Sequence, residues 1–288
     1  MNLPAGKNTG KNKHPVTILI YYIRETFAAY RWKEQRLPLT IIGLTLLFVG
    51  LCWWAIYLVD VHNFAGISSS QGLWWHLFRN RGPVEYVQWF FLALTTLASA
   101  ALFGYHLARE ERPSHIFWGL VSVSFILMLI EDAGDPRHII ARYTHNFLGW
   151  EHKYVEGAFF IAVAFPVVFA FLRYWKVHFH YPQTRLYLLS GAALYGAVAT
   201  TSVLRHQEEI YRRLGERLSP ILFEGNIPGF HLMDFMVEES VELLASAIFF
   251  TGVFVYWRMV IMKNHATPDT AQIKTDTKTD TMEKETPS

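Results

Sequence analysis

The sequence predicts an all-α protein: a polytopic membrane bundle of about six transmembrane helices with an amphipathic helix before it. Three observations carry this. Hydrophobic residues make up 52% and aromatic residues 16% of the 288 positions, and they gather into runs near the ~20 residues that cross a bilayer. Trp53, Trp54, Trp74, Trp75, Trp89, Trp118, Trp150, Trp175 and Trp257 fall mostly near the ends of those runs, as an interfacial aromatic belt requires. Acids and histidines collect at one end of four runs, where ionisable groups are costly unless they form a site, a pathway or a pair.

The elements follow in chain order. Residues 1–36 are a cytoplasmic N-terminal segment, polar and disordered at first. From 15 to 36, Ile18, Ile20, Tyr21, Phe27 and Tyr30 alternate with Arg24, Arg31, Lys33 and Arg36, the pattern of a helix lying on a membrane surface. The transmembrane domain covers 37–262, with spans at 39–59, 84–107, 115–132, 155–171, 186–204 and 235–257. A short interfacial helix is expected over 207–214. The tail, 263–288, repeats Lys-Thr-Asp without apolar periodicity and is expected to be disordered. No small-x-small site follows the first run, so it reads as a span rather than a cleaved signal.

Lys and Arg favour the side holding both termini, through the N-terminal segment, Arg109, Arg112, Arg173, Lys176, Arg185, Arg258 and Lys263. That bias predicts a multi-pass cell (inner) membrane protein with cytoplasmic termini. A formal charge of +2 gives no reason to expect a nucleic-acid partner. The single cysteine, Cys52, lies inside the first run, which excludes an intrachain disulfide and a thiolate zinc site.

The polar end carries the chemistry. The third span ends Glu131-Asp132-Ala133-Gly134-Asp135-Pro136-Arg137-His138. The fourth is entered through Glu151, His152 and Glu156, and the sixth through His231, Asp234, Glu238, Glu239 and Glu242. At about 100° per residue, His231, Asp234, Glu238 and Glu242 form one stripe, Glu239 falls to the side, and Asp132 points to the aqueous edge. Asp135 and His138 have the spacing at which one helix offers two ligands to a metal, and His152 and Glu156 share a face. Acids at the start of the fourth and sixth spans sit at helix N-termini, where they are favoured. Glu131 and Asp135 sit at a C-terminus, where carboxylates are disfavoured and need a compensating cation.

The expected function is a metal-assisted enzyme, a membrane hydrolase acting on a lipid or lipid-linked substrate. Glu131, Asp135, Glu238 and Glu242 would be catalytic, and those four with His138, His152, Glu156 and His231 would hold a divalent metal. Imidazole with carboxylate suits Zn, Fe or Mn, and oxygen alone suits Ca. The alternatives are a cation- or proton-coupled transporter and a non-catalytic assembly subunit with a partner membrane subunit. His106 with Glu110 reads as an interfacial pair, and His178 and His180 as solvated loop residues. Glu85 and Gln88 open the second span, and Glu85 is a candidate to join the cluster. The chain has no P-loop, no Gly-x-Ser-x-Gly elbow and no His-Glu-x-x-His.

Overall fold

Backbone polar groups have no water to bond inside a bilayer, so a spanning segment must satisfy them within itself. The computed structural model does this with helices throughout. It describes residues 35–66, 72–79, 81–174, 177, 182–205 and 208–265. The elements are α1 (Arg36–Ile56), α2 (Gly72–Phe78), α3 (Pro83–Ala108), α4 (Arg112–Gly134), α5 (Pro136–Leu148), α6 (His152–Arg173), α7 (Pro182–Arg205), α8 (Glu208–Phe223), α9 (Gly229–His231) and α10 (Glu238–His265). The predicted surface helix over 15–36 lies almost wholly outside the described residues, as do His178 and His180. Helix α10 runs on to His265, so the first residues assigned to the tail are helical; the rest lie outside the description.

Among the described residues, five helical stretches are long and apolar enough to cross a membrane: Arg36–Val61, Gly72–Ala108, Arg112–Gly134, Tyr154–Arg173 and Gly229–Met262. The remaining predicted span, α7, is not among them. Its Gln183, Thr184, Arg185, Ser190, Thr200 and Thr201 lower its apolar content, and it packs extensively along α10.

Helix α10 is the centre of the bundle, against α1, α3 and α7, while α4 packs on α3, and α6 on α4. The most apolar window of the last span is 61% buried, against 11% for that of α6, so α6 is peripheral. One apolar cluster joins α3, α4, α7 and α10 through Leu102, Phe117, Trp118, Phe125, Leu188, Phe249 and Val253. A second, toward the other end, joins α1, α2, α8 and α10 through Ile56, Trp74, Phe78, Phe223, Met236 and Leu243.

Local chemistry sets the breaks. Helix α4 stops where Asp135 adopts a left-handed conformation (φ 51°) and Pro136 opens α5, because proline lacks the N–H that would continue the helix. A π-turn over Leu232–Val237 links α9 to α10. Helices α5 and α8 are amphipathic. Ile139, Ile140, Tyr143 and Phe147 of α5 are exposed, as suits an in-plane interfacial helix. The predicted interfacial helix over 207–214 appears as the longer α8.

Asp60 caps α2: its carboxylate accepts from the Leu73 N–H at 2.6 Å and the Trp74 N–H at 2.9 Å. Asp60→Ala should lower stability by about 1 kcal/mol, with Asp60→Asn closer to wild type, measured as unfolding midpoints in detergent. On α8, Glu209 accepts from Arg212 at 2.5 Å and Arg213 at 2.6 Å. These hydrogen bonds hold its carboxyl below the usual range. A depressed folded value stabilises above the unfolded one and is lost as pH falls through the folded one. Amide exchange in 208–223 should therefore quicken more than intrinsic rates predict below about pH 4, and Glu209→Gln should flatten that dependence.

Candidate functional site

The polar end encloses a cavity of about 300 Å³, within the size range of small-molecule sites. Glu85 and Gln88 come from α3, Glu131, Asp132 and Asp135 from the end of α4, and Arg137 and His138 from the start of α5. Asp234 of the π-turn and Glu238, Glu239 and Glu242 of α10 complete its polar wall. The opposite wall is apolar or small: Met128, Phe160, Val163, Val167, Ala192, Gly196 and Phe249 among others. Among the described residues, eight carboxylates and one guanidinium line the cavity, and Asp234 and Glu238 have further interactions of their own.

The centre is a hydrogen-bond junction at Gln88, which is fully buried. Its amide nitrogen donates to Asp132 Oδ2 at 2.6 Å and to Glu242 Oε2 at 3.0 Å, and lies 3.3 Å from the Tyr195 hydroxyl. Ser246 donates to the Glu242 carbonyl at 2.8 Å, so it receives its 2.9 Å bond from Tyr195. The Gln88 Oε1 and Glu239 Oε2 atoms are buried and have no hydrogen-bond partner among the described residues.

Arg137 compensates the helix C-terminus, 3.1 Å from Glu131 Oε1 and 4.6 Å over the Phe160 ring. The expected Asp135–His138 contact exists at 3.5 Å. It arises across the α4–α5 break rather than along one helix, because Pro136 restarts the chain there. His138 also lies 3.9 Å from Glu156 Oε1. Glu85 accepts from the Arg81 N–H at the start of α3. Tyr211 of α8 donates to Glu238 at 3.0 Å; burial, then the Glu238 charge, raises its phenol above the usual range.

Several expected positions differ. Asp132 turns into the cavity instead of toward water, drawn by Gln88. Glu239, expected to fall aside, lines the cavity together with Glu238 and Glu242 of the same helix, because the cavity spans more of the α10 surface than the expected stripe. His231 leaves the stripe and stacks on Trp74, ring centroids 5.3 Å apart. His152 packs against His145 of α5 at 4.9 Å, and neither it nor Glu156 lines the cavity. At the opposite end His106 pairs with Glu111 at 2.6 Å and with the Tyr256 hydroxyl at 3.2 Å. Glu110 instead occupies a left-handed turn position (φ 57°).

Sequence reasoning missed Gln88 and Tyr195 as members of the site. A signal was present: Gln88, Thr95 and Ser99 recur on one face of an apolar helix, and all three are fully buried. Among the described residues, no three His, Cys, Asp or Glu side chains are gathered closely enough to hold a metal ion. Compared with known proteins, the chain matches no family model, no curated protein and no solved structure.

Proposed function

We propose that this is a membrane transporter whose cavity carboxylates exchange protons for a cation, with the cavity facing the outer side of the cell membrane and both termini cytoplasmic. The observation that supports it is the group Asp132, Glu239 and Glu242 on one cavity wall, where Gln88 rather than a cation bridges Asp132 and Glu242. Charge is expensive inside a membrane bundle, and neighbouring carboxylates repel, so such a group holds protons or bound cations. A site whose acids accept either one couples the two. Gln88, by donating to Asp132 and Glu242 together, sets the spacing of the central pair.

The test is flux in liposomes. An imposed cation gradient should drive opposite proton movement, read by a trapped pH dye, and Asp132→Asn with Glu242→Gln should reduce the rate at least ~10-fold, about 1.4 kcal/mol in the barrier. Equal proton movement in wild type, variant and empty vesicles contradicts the reading.

A second reading, a metal-assisted hydrolase of a lipid, is favoured by His138, which brings an imidazole within 3.5 Å of Asp135 and 3.9 Å of Glu156. Those groups with Glu131 would have to draw together around a divalent ion that activates water. Elemental analysis of the purified protein beside Asp135→Ala/His138→Ala tests it: stoichiometric Zn, Fe, Mn or Ca lost in the variant supports a metal site, and no metal in either removes it.

A further inference from the structure

The cavity has a second opening, through its apolar wall. Helices α6 and α7 touch each other little, in contrast to the close packing of α7 on α10 and of α6 on α4. Ala164 and Val168 of α6 and Gly196 of α7 line the cavity, yet all three are exposed on the outside of the bundle. They stand well inside their helices, away from the ends. A Cβ built at Gly196 meets nothing within 4 Å. The seam between α6 and α7 is therefore a slot joining the cavity to the outside of the bundle.

We infer that the ligand is an amphiphile with a protonated amine head and a single hydrocarbon tail, entering sideways from the membrane between α6 and α7. The inference rests on the cation-exchange reading above and names its substrate class. Charge complementarity selects a cationic head, since carboxylates dominate one wall. The buried Gln88 selects an N–H donor: its nitrogen is committed to Asp132 and Glu242, which leaves Oε1 as an acceptor without a partner. A protonated amine supplies that hydrogen bond and a quaternary ammonium does not. The tail lies along Val163, Val167 and Ala192 and leaves through the slot. Binding is a proton exchange that balances: the ammonium stays charged, and one carboxylic acid of the cavity releases its proton to solvent for each head bound.

The test is proton release from the protein in zwitterionic nanodiscs, in weak buffer near pH 7, with empty nanodiscs as the blank. The probes are dodecylammonium, butylammonium, dodecyltrimethylammonium, sodium and calcium chlorides. Dodecylammonium should release protons at a concentration at least ~10-fold below any other probe. Gly196→Leu, and separately Ala199→Leu about one turn further along α7 and also on the cavity wall, should raise that concentration at least ~10-fold while proton release by calcium or sodium is unchanged. Proton release by sodium or calcium without preference for dodecylammonium overturns the substrate class and leaves cation exchange standing. Preferred release by dodecylammonium that neither slot variant alters overturns the sideways route. No proton release with any probe overturns both the inference and the reading beneath it.

Discussion

Gly215→Ala should be the most damaging glycine-to-alanine substitution among the described residues. Helix α8 crosses the short α9 with Gly215 against Gly229, backbone on backbone. A methyl at Gly215 falls on the Gly229 carbonyl, and one at Gly229 falls on the Glu216 amide nitrogen. Neither contact is with a flexible side-chain end, so the helices must separate. Separation loosens the Ser219 hydroxyl from the Ile227 carbonyl, now 2.5 Å apart. It also disturbs buried Phe223 and Ile227, which belong to the cluster joining α1, α2, α8 and α10. Overpacking of this kind costs about 3 kcal/mol. The control is Gly157→Ala on α6, where a Cβ meets nothing within 4 Å and helix propensity favours alanine by up to about 1 kcal/mol. Unfolding midpoints by intrinsic fluorescence should fall by several degrees for Gly215→Ala and hold or rise for Gly157→Ala. Equal midpoints for the two variants would refute the glycine contact.

Gln88→Leu should have the second large effect. The change keeps side-chain size and removes the donors that Asp132 and Glu242 share. Two buried acceptors lose their partner at once, a loss of about 3 kcal/mol for groups of this kind. The effect should be coupled. In a double-mutant cycle, Asp132→Asn made in the Gln88→Leu background should cost less than the same change in wild type, with an interaction of about 1 kcal/mol or more. Additive free energies would show that the junction at Gln88 does not hold the two carboxylates together.

Most of the helices were legible in the sequence because length and hydropathy are local properties. Span positions follow from apolar runs, and the break at Asp135-Pro136 from the missing proline N–H. The blurred case is α7, which interleaves polar residues with apolar ones because much of its surface meets α10 rather than lipid. The carboxylate cluster was legible too, as charge where charge is costly. Its internal geometry was not. Gln88 meets partners 44 and 154 residues away, distances over which helical periodicity says nothing. The stripe drawn through His231, Asp234, Glu238 and Glu242 assumed one uninterrupted α-helix. The π-turn over Leu232–Val237 changes the register of His231 relative to α10 and leaves it against Trp74, while the cavity is wide enough to take in Glu239 beside Glu238 and Glu242. The His106 pairing shows the same limit in a turn. A spacing of four pointed to Glu110, but the left-handed Glu110 hands the contact to Glu111.

On the proposed exchange, the cavity's carboxylates hold protons that a cation displaces. Counting protons measures this directly, with purified wild-type protein and the Asp132→Asn/Glu242→Gln variant in zwitterionic nanodiscs near pH 7, as a saturating cation is added. Saturable release of about one proton per wild-type molecule is expected, by analogy with carboxylates sharing a site, with little or none from the folded variant. Release that is absent from wild type for sodium, calcium and dodecylammonium alike, with the protein still folded, would contradict it.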